Sequence, residues 1–313
     1  MNIRPRRMKK SLLLWAGLLF LSGRAAGQAI LKDDGRFYPK TDAVQWLAYR
    51  PGEIYPIKLG RTGCPEIEVK IDGQPFRLTF DFGSSGGMMV TTAIESRIKY
   101  ELVRDLTTSN PDGSPRGRGK EILLGRVDVL GKTFERVKSD LYDWKIYSSL
   151  PFDGLISLEF FENTRFTLDY QGKKLAISDQ PFPEALMKSD EVFVVPLLPS
   201  PQWNRYGLYF AASVAGRDAV IYVDSGSSRS FIDRSLVEGK SVSKVGNNDV
   251  CLATIPLAVG GLNLEISRIR VSDIRRNTNY QHPVGMVIGS DLLKNFVISV
   301  DRTPGRNTLI IHR

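Results

Sequence analysis

The sequence is poor in the side chains that bind metals or form disulfides. Its 313 residues include only two cysteines, Cys64 and Cys251, and two histidines, His282 and His312. One pair of cysteines is too few for a disulfide framework, and the sequence leaves open whether the two form a bond. The histidines do not cluster with other ligands, so a zinc site is poorly supported and a Ser-His-Asp enzyme would depend on one of them. We therefore expect no metal and no cofactor.

The N-terminal residues have the order of a secretory signal peptide. The stretch RPRRMKK is basic, SLLLWAGLLFL is apolar, and SGRAAGQA supplies small residues. We place the cleavage near Gly27, so that residues 1–27 are a signal peptide and the protein is exported, either to the periplasm or as a secreted protein. The apolar run is too short to span a bilayer comfortably, so an uncleaved anchor is the less favoured alternative and no stable membrane insertion is expected after cleavage.

The charge of the chain gives little support for a nucleic-acid partner. The formal net charge is +9, but residues 1–27 contain several basic residues and no acidic one. Their removal leaves only a mild positive excess, which is too small to indicate binding to nucleic acid or to anionic lipid.

The remainder of the chain contains three pairs of similar segments in the same order. EIYPIKL resembles VFVVPLL, FRLTFDFGSS resembles AVIYVDSGSS, and DGLISLEFFENTRFTLD resembles GMVIGSDLLKNFVISVD. The alternative is chance similarity between β-rich segments, but three anchors in a conserved order favour a duplicated unit. We place an N-terminal extension at residues 28–52, a first lobe at residues 53–180, a linker at residues 181–191 and a second lobe at residues 192–313.

Each predicted lobe consists mostly of strands. EIEVKIDGQPFRLTFDF alternates apolar and polar residues on both sides of Asp72-Gly73, which is a typical hairpin turn. Further hairpin turns are predicted at Leu130-Gly131, at Gly216 and at Gly260-Gly261. Helical periodicity is limited to the short pieces SLEFFEN and SDLLKN, which lie at matching places in the two copies. The sequence therefore predicts an all-β protein.

The repeated motif Asp-x-Gly-Ser-Ser places an aspartate at the end of a strand in each copy. Asp81 and Asp224 end apolar runs, and the glycine that follows each lets the chain turn sharply. Two such carboxyl groups brought close together cannot both ionise cheaply, so they share a proton. One can then act as a general base on water while the other acts as a general acid. The alternative interpretation is a pair of Asx turns that merely close two strands.

These motifs resemble the bilobal aspartic proteases of the pepsin and retropepsin superfamily. The resemblance is closer to bacterial, exported retropepsin-like aspartyl proteases that carry two duplicated domains in one chain. It covers nearly all residues after about residue 53 and includes the VIG element that ends at Gly289. The resemblance implies two pseudo-twofold-related acid-protease β-barrel lobes with a cleft between them. It also implies a monomeric aspartic-type endopeptidase that needs no cofactor and acts on a peptide or protein substrate.

The resemblance also assigns roles to residues of the two motifs. It implies that Asp81 and Asp224 are the catalytic pair. The supporting residues of the two loops are Gly83, Ser84, Ser225, Gly226 and Ser227. Among these, the hydroxyl groups of Ser84 and Ser227 are expected to hold the outer carboxylate oxygens, and Ser225 is expected to enter a hydrogen-bonded grip beneath the pair. The segment from Ser114 to Lys120 is either a flap over the cleft or an ordinary surface loop.

The first copy departs from the resemblance at two positions. Phe82 stands where a Thr or Ser is usual after the aspartate, so the hydroxyl that crosses between the lobes is missing. Ser157 stands where the second copy has Gly289, and we expect its side chain to crowd the loop that carries Asp81. These departures favour two alternatives. One is a catalytically inactive protein that binds extended peptides, and the other is a degenerate first lobe with two chains pairing through their second lobes.

Overall fold

Strands dominate the part of the chain that the computed structural model describes, which is residues 29–32, 49–109, 115–143, 153–190, 192–200, 205–274 and 283–312. Helices there are limited to α1 (Glu184–Met187), α2 (Ser290–Leu293) and the short 3-10 helices Pro51–Glu53, Thr92–Arg97, Leu158–Phe160 and Arg234–Val237. The prediction of an all-β protein is therefore confirmed. None of the helices in these ranges is long and apolar enough to cross a membrane.

The strands are numbered in chain order. The earlier strands are β1 (Ile30–Lys32), β2 (Ile54–Pro56), β3 (Lys58–Leu59), β4 (Pro65–Ile71), β5 (Gln74–Asp81), β6 (Met88–Thr91), β7 (Tyr100–Ser109), β8 (Pro115–Val129), β9 (Lys132–Tyr142), β10 (Gly154–Ser157), β11 (Arg165–Asp169) and β12 (Lys174–Ser178). The later strands are β13 (Val192–Pro196), β14 (Leu208–Val214), β15 (Arg217–Val223), β16 (Phe231–Asp233), β17 (Val242–Val245), β18 (Asn248–Cys251), β19 (Ile255–Val259), β20 (Leu262–Ser267), β21 (Ile269–Ser272), β22 (Val284–Ile288), β23 (Val297–Asp301) and β24 (Thr308–His312).

The first sheet is built from eight strands in the order β3-β4-β5-β10-β6-β9-β8-β7. A further pairing between β4 and β8 joins distant strands of this sheet, which gives it a barrel-like shape. Along β4 the residues alternate between buried and more exposed positions, as expected for a strand with one face on the core. From Pro115 onward, the segment predicted to be a flap or a surface loop is part of β8 and pairs with β7, whereas Ser114 lies outside the described residues.

The predicted hairpin turns are present. Asp72 and Gly73 have φ values of 48° and 82° between β4 and β5, and Leu130 and Gly131 have values of 47° and 68° between β8 and β9. The same pattern of two positive φ values occurs at Ala215-Gly216 and at Gly260-Gly261. Positive φ at both central residues matches the twist of the flanking strands, which is why Asp-Gly and Gly-Gly pairs predict such turns well.

The second sheet has ten strands in the order β1-β20-β19-β14-β15-β22-β16-β21-β18-β17. Its edge strand β1 belongs to the predicted N-terminal extension and pairs antiparallel with β20. The backbone N–H of Ala29 donates to the buried carboxyl group of Asp291 at 3.1 Å. Leu31 closes a small apolar cavity of about 30 Å³ lined also by Leu292 and Ile311. Part of the extension therefore completes the second sheet.

A central sheet connects the two parts of the chain, with its six strands in the order β13-β24-β23-β11-β12-β2. Strands β2, β11 and β12 come from residues 53–180, and the other three come from residues 192–313. The middle pair, β11 and β23, is antiparallel and places Thr167 opposite Ser299. Their hydroxyl oxygens are 2.6 Å apart and hydrogen bonded. The two parts of the chain thus share backbone hydrogen bonds as well as one continuous apolar core.

The stretch predicted as a linker packs against the central sheet. Phe182 is only 1% exposed, and its ring meets the ring of Tyr49 edge-on at 6.0 Å. The backbone N–H of Phe182 donates to the carboxyl group of Asp301 at 3.2 Å. Residues 181–190, which include helix α1, are therefore held against the central sheet by these contacts.

Candidate active site

The two predicted aspartates lie at equivalent points of two parallel strand pairs. Strand β5 pairs in parallel with β10, and the register places Asp81 opposite Ser157. Strand β15 pairs in parallel with β22, and the backbone N–H of Asp224 donates to the carbonyl of Ile288, the last residue of β22, at 2.9 Å. Side chains alternate along a strand, so Phe80 is directed into the core and Asp81 to the opposite face.

In the loops that follow the two strands, the glycine of each loop lies against the aspartate of the other loop. A Cβ atom added at Gly83 would lie 2.5 Å from Cγ of Asp224, and one added at Gly226 would lie 2.4 Å from Cγ of Asp81. Both distances are far below a van der Waals contact between carbon atoms. Each loop therefore needs a glycine at this position so that the aspartate of the other loop can approach. A single chain supplies both aspartates.

Backbone N–H groups hold both carboxyl groups. Oδ1 of Asp81 accepts hydrogen bonds from the N–H of Gly83 at 2.7 Å and of Gly226 at 3.2 Å. The N–H of Ser84 also bonds to Asp81. Oδ1 of Asp224 accepts from the N–H of Ser227 at 2.9 Å, and the N–H of Gly226 also bonds to Asp224. Asp81 thus receives N–H groups from both loops, which favours its ionised form.

The two carboxyl groups are buried and hydrogen bonded to each other. Burial raises the pKa of Asp81, and the N–H bonds from the two loops oppose that rise. Burial raises the pKa of Asp224 well above its usual range, and the negative charge of Asp81 raises it further. The N–H groups from both loops at Asp81 favour the carboxylate there, and this favours the shared proton on Asp224.

We expect this pair to make the protein less stable as the pH rises. A carboxyl group with a raised pKa in the folded state stabilises that state fully at low pH, and this contribution is lost as the pH rises through the raised pKa. Each unit of pKa difference from the unfolded chain corresponds to about 1.4 kcal/mol. The measurement is the free energy of unfolding of the wild type and of Asp224→Asn between about pH 4 and about pH 8. The wild type should lose more stability than the variant over this range, and equal losses would contradict the assignment.

The serine hydroxyl groups do not bind the carboxylates, so that expectation is wrong. The hydroxyl of Ser84 donates to the carbonyl of Ser85 at 3.3 Å, and the hydroxyl of Ser227 donates to the carbonyl of Arg229 at 2.7 Å. Each hydroxyl thus forms a hydrogen bond within its own loop, as serine side chains often do in turns. The backbone N–H groups of the same two residues supply the bonds to the aspartates instead.

Ser225 forms the cross-loop hydrogen bonds that the resemblance implies for it. Its hydroxyl accepts from the N–H of Phe82 at 2.8 Å and donates to the carbonyl of Phe80 at 2.7 Å. Phe82 has no hydroxyl with which to form the reciprocal pair of bonds. Its buried ring instead packs against the ring of Phe80 with the centroids 5.3 Å apart. Only the second loop therefore supplies a hydroxyl for the hydrogen bonds between the two loops.

Ser157 fits without crowding the first loop, contrary to expectation. A Cβ atom at Gly289 would lie 2.3 Å from the carbonyl oxygen of Arg229, so the second loop requires a glycine there. The first loop takes a different course because Gly86 and Gly87 have φ values of 96° and 74°. The N–H of Ser157 donates to the carbonyl of Gly87 at 2.7 Å, and its hydroxyl accepts from the N–H of Glu159 at 3.2 Å. The double glycine thus makes room for the serine.

Two side chains that the sequence analysis did not assign to the site also contact these loops. The hydroxyl of Tyr222 donates to the carbonyl of Gly83. The thiol of Cys64 donates to the carbonyl of Gly226 at 3.2 Å. The alternation along β15 places Tyr222 on the same face as Asp224, and this pattern could have identified it. No local sequence signal marks Cys64.

Among the described residues, the thiol and imidazole groups do not form a second centre. Cys64 and Cys251 are both buried and are not bonded to each other. His312 is buried, and burial lowers its pKa to about 3. Its Nε2 is hydrogen bonded to the hydroxyl of Ser299 at 2.6 Å. In the described part of the chain, His, Cys, Asp and Glu residues form no group of three that could hold a metal ion, and His282 lies outside that part.

Comparison of the chain with protein-family models gave no match, and comparison with curated proteins gave none either. Inference about function therefore starts from the two loops themselves. Their distinctive feature is the reciprocal contact between the glycine of one loop and the aspartate of the other, which brings two buried carboxyl groups into one hydrogen-bonded pair.

Proposed function

We propose that the protein is an aspartic-type endopeptidase that hydrolyses peptide bonds with a water molecule activated between Asp81 and Asp224. The single observation that carries this proposal is the paired approach of Gly83 to Asp224 and of Gly226 to Asp81. Asx turns that merely close strands have no reason to meet in this way. The resemblance to pepsin-like and retropepsin-like proteases, stated above from the motifs, supports the same function.

We also propose that residues 53–180 and 192–313 form two lobes related by an approximate twofold axis. The strand order of the central sheet, β13-β24-β23-β11-β12-β2, supports this. In each part the penultimate strand lies at the middle of the sheet, the last strand lies next to it, and the first strand lies at the edge. In each part, the strand that carries the aspartate pairs in parallel with a strand that leads into a short helix, Leu158–Phe160 or Ser290–Leu293. The cleft for substrate then lies where the two aspartate loops meet.

The protonation of the pair suggests how the reaction proceeds. The Asp81 carboxylate removes a proton from water, and the water oxygen attacks the carbonyl carbon of the scissile amide. The proton on Asp224 passes to the carbonyl oxygen, which gives a neutral tetrahedral intermediate. Asp81 then gives its proton to the amide nitrogen, and a hydroxyl group of the intermediate gives a proton to Asp224 as the C–N bond breaks, so the two carboxyl groups end with one shared proton again. Two carboxyl groups of different pKa are sufficient for this sequence of steps.

We propose in addition that the enzyme acts outside the cytoplasm, in the periplasm or after secretion, as a monomer. The support is the order of basic, apolar and small residues in positions 1–27, all of which lie outside the described residues. One carboxylate and one carboxylic acid coexist over a span of pH, so the pair can work in either of these compartments.

A second candidate function is the binding of extended peptides without turnover. Phe82 favours it, because this residue cannot return the cross-loop hydrogen bonds that Ser225 makes. A protein of this kind would retain the loops and the sheet edges that accept a peptide strand, but would leave bound peptides intact.

The experiment that separates the two functions is incubation of the protein lacking residues 1–27 with a diverse peptide pool in ¹⁸O-labelled water. The pH should run from about 3 to about 8, because the working range depends on the pair's pKa values. Endopeptidase activity should produce internal cuts whose new carboxyl groups carry one solvent oxygen. Peptides that bind but remain uncut at every pH would support the second function and contradict the first.

A further inference from the structure

The loop that carries Asp224 is also held from the other side by two residues of the first half of the chain. The thiol of Cys64 donates to the carbonyl oxygen of Gly226 at 3.2 Å, with both groups buried. Cys64 lies in the turn between β3 and β4, where the N–H of Gly60 donates to its carbonyl at 2.9 Å. This turn fixes the position of the thiol with respect to the loop.

The second contact runs through Ser290, the first residue of α2. The hydroxyl of Ser290 donates to the carbonyl oxygen of Ser225 at 2.8 Å. The hydroxyl of Tyr170, just after β11, is 2.8 Å from the hydroxyl oxygen of Ser290. Because the Ser290 proton is used toward Ser225, Tyr170 donates to Ser290 in this arrangement.

Each of these contacts acts on a peptide unit that also holds an aspartate. The carbonyl of Ser225 and the N–H of Gly226 belong to one planar peptide, and that N–H donates to Asp81. The carbonyl of Gly226 and the N–H of Ser227 belong to the next peptide, and that N–H donates to Asp224. Fixing either carbonyl oxygen therefore fixes the N–H group on the opposite side of the same plane.

The first loop has a different arrangement of supports. Its carbonyl at Gly83 is held by Tyr222 from the second half of the chain, which corresponds to the contact of Cys64 with Gly226. Leu158 follows Ser157 where Ser290 follows Gly289, so no hydroxyl is present at the matching place. Phe82 cannot contribute a hydroxyl from the first loop to the second. The second loop thus depends on other groups of the first half for its support.

We propose that Cys64 and Tyr170 are positioning residues of the proposed reaction, which hold the Gly226–Ser227 and Ser225–Gly226 peptides so that their N–H groups remain on Asp224 and Asp81. This inference rests on the proposed function. Burial raises the pKa of the Cys64 thiol to about 12 and that of the Tyr170 hydroxyl well above its usual range. Both groups therefore keep the proton that they donate.

The test compares Cys64→Ala, Cys64→Ser and Tyr170→Phe with the wild type in peptide cleavage. Cys64→Ala and Tyr170→Phe should lower kcat about threefold to tenfold with little change in KM, as expected for the loss of one hydrogen bond. Cys64→Ser keeps a donor of similar size and should retain most of the activity. Cys251→Ala is the matched control, because Cys251 is equally buried but lies in β18.

The pH profile distinguishes positioning from a merely structural role. Tyr170→Phe weakens the hold on the Gly226 N–H, which bonds to both carboxyl groups, so both limbs should move to higher pH. Cys64→Ala weakens an N–H bond to Asp224, so the basic limb should move to higher pH. Unchanged limbs, or equal activity in Cys64→Ala and Cys64→Ser, would overturn the proposal while leaving the proposed function intact.

A wild type that does not cleave peptides would refute the proposed function, and the positioning roles can then be tested by stability. The pH at which the free energy of unfolding falls reports the titration of the pair without any turnover. Tyr170→Phe and Cys64→Ala should extend that fall to higher pH and make the total loss larger, whereas Cys64→Ser and Cys251→Ala should not. The same pH dependence in all four variants would overturn the positioning roles as well.

Discussion

Asp224→Asn is expected to abolish peptide cleavage, with a loss of about a thousandfold or more, while the protein remains folded. In the proposed mechanism Asp224 delivers a proton to the carbonyl oxygen, which an amide cannot supply, and an amide cannot share a proton with Asp81. Asp81→Asn should cause a similar loss, because it removes the carboxylate proposed to activate water. The measurement is kcat/KM on a peptide identified in the pool experiment, together with thermal unfolding of each variant.

Thermal unfolding separates a loss of catalysis from a loss of folding in the Asp224→Asn variant. An asparagine has nearly the volume of the aspartic acid that it replaces, and it removes a buried carboxyl group with a raised pKa. The melting temperature at neutral pH should therefore stay level or rise. Asp128→Asn is the control, because Asp128 is a carboxylate in the first sheet paired with Arg126 at 3.0 Å on the surface. Full activity in either aspartate variant of the pair would refute the assignment.

Gly226→Ala is expected to have the next largest effect. Its new methyl group would lie 2.4 Å from Cγ of Asp81, so the carboxyl group must rotate away or the loop must shift. Either movement breaks the hydrogen bonds that hold the pair and should lower kcat/KM at least about a hundredfold. Overpacking of this kind also destabilises proteins by about 1–3 kcal/mol. Gly83→Ala should act in the same way through Asp224.

Gly52→Ala provides the matched control for the two glycine substitutions. A Cβ atom at Gly52 has no heavy atom within 4 Å, so the additional methyl group meets open space. Activity should remain at the wild-type level in this variant. If Gly226→Ala also kept full activity, the close approach of the two loops would not be the working arrangement, and the proposed mechanism would fail with it.

The sequence predicts the local features of the fold well. Alternation of apolar and polar residues indicates strands such as β4, and the pairs Asp72-Gly73 and Gly260-Gly261 indicate hairpin turns with positive φ. The repeated Asp-x-Gly-Ser-Ser motif likewise identifies both aspartates and the glycines that approach them. These features can be recognised because each depends on a few residues that are adjacent in the chain.

Other features depend on contacts between distant residues, which a local pattern does not encode. The hydroxyl of Ser84 has several acceptors within reach in a tight turn, and the sequence does not reveal that it bonds Ser85 rather than Asp81. The space for Ser157 comes from the course of the chain at Gly86 and Gly87. Similarly, nothing in residues 29–32 indicates that they pair with β20, because an edge strand of three residues has little pattern of its own.

The central sheet also has a consequence for the timing of folding. Its middle strands β11 and β23 pair residues that are 132 positions apart, as Thr167 and Ser299 show. Contacts of such long sequence separation form late, because a large loop must close before they contribute. A nascent chain can complete the turn around Asp81 long before β23 is available to bring the two halves together. The hydrogen-bonded pair of carboxyl groups, and with it the proposed activity, should therefore form only after synthesis has passed β23.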